Sequence, residues 1–139
     1  VDVEGGFSVK FIEIPEYSSE FIESEYGSFE MFFFTYEESY TKAYMAAYID
    51  YPDQLFEDKE VKNILEDVIY GMVTGLIIED VYDISIDGYP GMSVTANDGE
   101  IYMDVDVYLV GNRLYQVAVL DTYSYALDAF DFLNSFQLL

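Results

Sequence analysis

Between Gly99 and Leu120 the chain reads GEIYMDVDVYLVGNRLYQVAVL: apolar and polar side chains alternate, stop at Gly111 and Asn112, and alternate again. A period of two on both sides of such a pair predicts a β-hairpin with a two-residue turn. Val110 then stands opposite Arg113, Tyr108 opposite Tyr115, Asp106 opposite Val117 and Asp104 opposite Val119, and cross-strand partners share a face. Met103, Val105, Val107 and Leu109 with Leu114, Gln116, Ala118 and Leu120 make the other face, nearly all apolar and suited to burial under helices. Tyr102, Asp104, Asp106, Tyr108, Arg113 and Tyr115 are left on the less buried face. That face is either a shallow binding surface or a solvated one.

The rest of the chain divides by the same patterns. GGFSVKFIEIP alternates up to Pro15 and predicts a strand over Phe7 to Ile14. EFIESEYGSFEMFFFTYEE predicts two strands meeting around residues 25–28, with Gly27 in the turn. In the second, Phe29, Met31 and Phe33 share one face and Phe32, Phe34 and Tyr36 the other, so it is expected to be buried on both sides. Tyr36, Tyr40, Tyr44 and Tyr48 recur every four residues, a spacing that fits a helix stripe and a single strand parity alike. A short polar turn before them and Pro52 after them favour a strand over Lys42 to Asp50, with the tyrosines as core.

DKEVKNILEDVIYGMVTGL predicts a helix with Val61, Ile64, Leu65, Val68, Met72 and Leu76 on one stripe, Glu57 or Asp58 as cap and Gly75 at its end. LIIEDVYDISIDGYPG and MSVTANDGE supply further strands. A closing helix is expected from about Ser124 to Ser135, with Ala126, Ala129, Phe130 and Leu133 inward. Four strands, a helix, three or four strands and a helix predict an α+β fold: one domain over 1–139, with an antiparallel sheet of about six to eight strands and two main helices packed on it.

Charge changes the functional picture more than the fold. The chain of 139 residues carries 28 acidic and 5 basic side chains, a net charge of -23, and contains neither Cys nor His. A disulfide framework, a thiolate metal site and a cysteine nucleophile are therefore excluded. Nucleic acid and anionic lipid surfaces are bound mainly through cations, so neither is an expected partner. A basic protein or peptide is, and no apolar run reaches the length of about eighteen residues needed for membrane insertion. The start, VDVEGGFSVKF, also lacks the basic region and long apolar stretch of a signal peptide. Two other readings stay open: adaptation to high salt, or recharging, with no specific partner at the acidic face, and weak cation binding. The 15 Tyr and 11 Phe weigh against halophilic adaptation, which usually accompanies modest apolar content.

Candidate chemistry is sparse. DISIDG matches the first half of a calcium loop with Asp83, Ser85, Asp87 and Gly88, but Val94 stands where a bidentate Glu belongs and Pro90 interrupts the loop. It is expected to be a strand ending in an Asp-Gly turn. ANDGE, with Asn97, Asp98 and Glu100, is expected to be another turn. No nucleophile elbow, phosphate loop or dinucleotide fingerprint occurs. The expectation is a protein without catalytic residues, metal or cofactor.

GYPG at 88–91, YLVGNRLYQV at 108–117 and FLNSFQLL at 132–139, with GGFSVKF and AAYIDYP earlier, resemble small PsbP-like domains of bacteria and cyanobacteria. The resemblance implies an antiparallel sheet with flanking helices, a binding or assembly role, and a location outside the cytoplasm. It implies no chemistry, because a fold does not fix a function. Where such domains are expected to carry basic residues, this chain has Met92, Asp104 and Asp106.

Overall fold

The computed structural model describes residues 5–24, 26–39, 42–122 and 127–139. The elements run β1 (Phe7–Ser8), β2 (Glu16–Ser24), β3 (Gly27–Ser39), β4 (Lys42–Asp50), α1 (Asp53–Asp58) and α2 (Val61–Met72). They continue with β5 (Ile77–Ile86), β6 (Tyr89–Asn97), β7 (Tyr102–Val110), β8 (Arg113–Asp121), α3 (Leu127–Asn134) and β9 (Gln137–Leu138). β2 to β8 form one antiparallel sheet in the order β2-β3-β4-β8-β7-β6-β5, and β1 pairs with β9 in a separate ribbon. Sequence neighbours pair throughout the large sheet except at its centre. There β4 meets β8, joining a three-stranded and a four-stranded meander.

The hairpin turn at Gly111 and Asn112 gives the expected register, with Tyr108 opposite Tyr115 and Asp104 opposite Val119. β4 has the expected bounds, and Tyr44 and Tyr48 are buried, Tyr48 stacking on Phe32 with ring centroids 4.9 Å apart. β3 serves both faces of the sheet. Phe29, Met31 and Phe33 join α2 on one side, and Phe32, Phe34 and Tyr36 join the aromatic cluster on the other. DISIDG is the end of β5 followed by a turn in which Asp87 and Gly88 have φ of 49° and 85°, the left-handed pair of a tight hairpin. Gly91 is required by close approach: a Cβ there would lie 2.7 Å from Cδ1 of Tyr108.

Five expectations are corrected. Only Phe7–Ser8 of the stretch Phe7 to Ile14 is a strand. Beyond Ser8 the alternation records burial of Val9 and Phe11 against α3 and the sheet, with no ladder alongside, and Phe11 meets Phe132 edge-on at 5.0 Å. The helical region is split, because Lys59 and Glu60 are extended. Helix α2 starts after Glu60 without a side-chain cap bond, so neither Glu57 nor Asp58 caps it. Among the described residues there are three helices, where two main ones were expected. The stripe of α3 is Ala129, Phe132 and Leu133, continued by Phe136, and Phe130 points outward at 65% exposure. Ser124, Ala126 and Tyr40 lie outside the described residues.

The fifth correction concerns the hairpin's second face, which is not an open surface. Tyr108, Tyr115, Val117 and Val119 are buried under Phe7, α3 and Phe136. Tyr115 donates its hydroxyl to the Gly5 carbonyl, and Phe136 stacks on Tyr108 at 5.5 Å. Both helix-covered faces are therefore apolar cores, α2 lying over β6 and β7 and α3 over β7 and β8. None of the described helices is long and apolar enough to cross a membrane.

Candidate functional site

Over β5, β6 and β7 the second face turns polar beside α3. Antiparallel register lays two rows across these three strands: Asp80, Thr95 and Asp104 in one, Tyr82, Ser93 and Asp106 in the next. Successive residues on one face of a strand are about 7 Å apart, so the rows are adjacent. Ala129, Phe130, Leu133 and Asn134 of α3 form the opposite wall. The half-open groove has a volume of about 400 Å³.

Two of its carboxylates, Asp104 and Asp106, are held by hydrogen bonds. Thr95 donates Oγ1–H to Asp104 Oδ1 at 2.9 Å, while the Ser93 and Tyr108 side chains hydrogen-bond Asp106. Burial nevertheless wins. It raises the pKa of Asp104 above the ordinary Asp range against the Thr95 bond, and the charges of Glu79 and Asp121 add to the rise. Burial likewise raises Asp106 against its Ser93 bond, with the charge of Asp104 acting in the same sense. The Tyr108 phenol is raised too, chiefly by burial and then by the Asp106 charge. Ionised Asp104 and Asp106 are poorly solvated here and lack a counter-ion, because no basic side chain is among the described residues lining the groove; Asp80 lies at its exposed side.

Three of the chain's five cations are engaged elsewhere. Arg113 grips Asp50 with two bonds, of 2.6 and 2.8 Å, and lies over the Tyr48 ring. Lys59 pairs with Asp67 at 3.1 Å, and Lys42 lies 3.5 Å from Glu38 and 3.6 Å from the buried Asp121.

Of the six candidate residues, the structure thus brings only Asp104 and Asp106 into one groove. Tyr108 supports Asp106 from the core, Tyr115 is part of that core, and Arg113 and Tyr102 stand at opposite ends of the hairpin. Asp80, Tyr82, Ser93, Thr95 and Asn134 complete the site. Asp80 with Tyr82, and Ser93 with Thr95, share a strand parity that is visible in the sequence, but only the registers of β5 against β6 and of β6 against β7 bring them to Asp104 and Asp106.

The turn at 97–101 is differently occupied. Asp98 accepts the N–H groups of Glu100 and Ile101 at 3.0 and 2.8 Å, and Asn97 accepts that of Gly99 at 3.0 Å. These backbone bonds hold the Asp98 pKa below its ordinary value. Among the described residues no three His, Cys, Asp or Glu side chains are arranged to hold a metal ion. No known protein family matches this sequence, and no curated protein is significantly similar to it.

Proposed function

We propose that this chain is a non-catalytic binding or assembly module, PsbP-like in its sandwich of sheet and helices, that receives a basic side chain of a partner protein in the groove under α3. The observation that carries the reading is the placement of Asp80, Asp104 and Asp106 in one half-enclosed groove with no basic residue in its described lining. A lysine or arginine fits its two-sided chemistry. The aliphatic stem covers Phe130 and Leu133, and the charged head meets carboxylates whose burial is otherwise uncompensated. The resemblance enters through GYPG at the β5–β6 turn, YLVGNRLYQV across the β7–β8 hairpin and FLNSFQLL over α3 and β9.

Hexalysine tests the reading by calorimetric titration at low and moderate salt. Asp104→Asn with Asp106→Asn should weaken association about tenfold, the scale of one or two charge-assisted hydrogen bonds. Glu37→Gln with Glu38→Gln removes equal charge elsewhere and should weaken it far less. Equal losses would show that net charge alone attracts the peptide. A cation in the groove also favours the ionised carboxylates, so binding in mildly acidic buffer should release protons.

A further inference from the structure

The opposite face of the sheet holds a larger cavity, of about 550 Å³, between the helices α1 and α2 and the strands β2, β3, β4 and β8. Its walls are apolar: Phe29 and Met31 from β3, Ile49 from β4, Leu55 from α1, and Ile64 and Val68 from α2. Four uncharged polar residues line this space, of which Ser24 and Tyr26 are engaged, donating to the Gly27 carbonyl and to Asp58. Gln116 sits between Leu114 and Ala118 on the α2-covered face of β8, in mid-sheet, and Tyr51 follows β4 at the cavity wall.

Among the described residues, neither the Gln116 amide nor the Tyr51 hydroxyl has a hydrogen-bond partner. Burial alone raises the Tyr51 pKa. Both residues are half-buried and neither polar end is sealed from solvent, so each is open to a molecule in the cavity, whose volume is many times the share of one water, about 30 Å³. Charge narrows the class of occupant. The only charged residues in the described lining, Lys59 and Asp67, pair with each other at 3.1 Å and leave no free counter-ion for a charged head. The net charge of -23 repels anions as well. Ammonium or carboxylate groups lose more on entering such a space than an uncharged amide does.

We infer that this cavity binds an uncharged, largely apolar molecule with one head group of the carboxamide kind, which both donates and accepts hydrogen bonds and is met by Gln116 and Tyr51. The inference is independent of the groove under α3. Mostly apolar walls with a few convergent polar groups are the usual anatomy of a small-molecule site of this volume.

Decanamide, decanoate and decylammonium share one alkyl chain and differ in the charge of the head. Titrated calorimetrically into the intact chain, decanamide should bind saturably, one molecule per chain, and about tenfold more tightly than either ion. Gln116→Leu should erase that preference. Val68→Phe, which fills the cavity from α2, should abolish binding, whereas Asp104→Asn with Asp106→Asn should leave it unchanged. Circular dichroism establishes that each variant is folded. If Gln116→Leu does not fold, the head-group comparison and Val68→Phe still decide. The inference is overturned by equal binding of the three compounds, by absence of saturable binding, by binding that survives Val68→Phe, or by binding lost with the two Asp replacements.

Discussion

Asp106 accepts hydrogen bonds from Ser93 and Tyr108, yet its pKa is raised, because burial outweighs both bonds. Asp104 behaves alike under burial. Groups raised above their unfolded values contribute stability that is fully present below the unfolded value, about 3.9, and is lost as pH rises through the folded one. Asparagine imitates the protonated carboxyl. Asp106→Asn should therefore melt at a higher temperature than the parent near pH 8, and the two Tm values should converge near pH 3. Asp98 has the opposite sign: its depressed carboxyl contributes stability above the unfolded value that is lost as pH falls through the folded one. Parallel melting curves for Asp106→Asn and the parent at every pH would mean that burial of Asp106 costs nothing. The two aspartates were legible as same-face neighbours because strand parity is local. The burial of Tyr108 and Tyr115 was not, since Gly5, Phe7 and Phe136, which cover them, come from the two ends of the chain.

At the scale of elements, the sequence was most informative where hydrophobic period and turn chemistry agreed, as in β3, β4 and the β7–β8 hairpin. It failed where a period was right and its phase wrong. In α3 the apolar positions 129, 130, 132, 133 and 136 admit two stripes, and the choice is made by Phe132 meeting Tyr44 and Phe11 edge-on at 5.1 and 5.0 Å. The other stripe's Phe130 becomes a wall of the acidic groove. The sheet's outer strands face a different demand, for both leave ladder groups available to another chain. β5 is interrupted by a register shift between Ile78 and Asp80, but β2 runs in unbroken register from Glu16 to Ser24 with all nine residues exposed, Phe21 at 68%. What guards β2 is charge: Glu16, Glu20 and Glu23 would be brought against the like charges of a second β2 across an edge-to-edge pair. Replacing all three by Thr should leave the monomer folded by circular dichroism and produce concentration-dependent association in light scattering. Equal replacement at Glu57, Glu60 and Glu66, in and between the helices, should not.

Over the whole molecule, 28 carboxylates face 5 cations, and the ion pairs described for Lys42, Lys59 and Arg113 engage Glu38, Asp50, Asp67 and Asp121. Most of the remaining charge lies on exposed positions, where like charges repel across a compact surface and relax when the chain unfolds. The two aromatic and aliphatic cores are what hold the fold against that repulsion. Salt screens it: the Debye length falls from about 30 Å at 0.01 M to about 8 Å at 0.15 M, less than the width of the sheet. Raising sodium chloride over that range should increase Tm, and each kcal/mol recovered corresponds to roughly 3–6 °C for a domain of this size. Sodium, potassium and magnesium chlorides compared at equal ionic strength distinguish screening from ion binding. Screening predicts nearly the same increase from each, whereas an excess specific to magnesium, or a Tm that does not move with salt, would show that the acidic surface is organised around bound cations or is too dispersed to strain the fold.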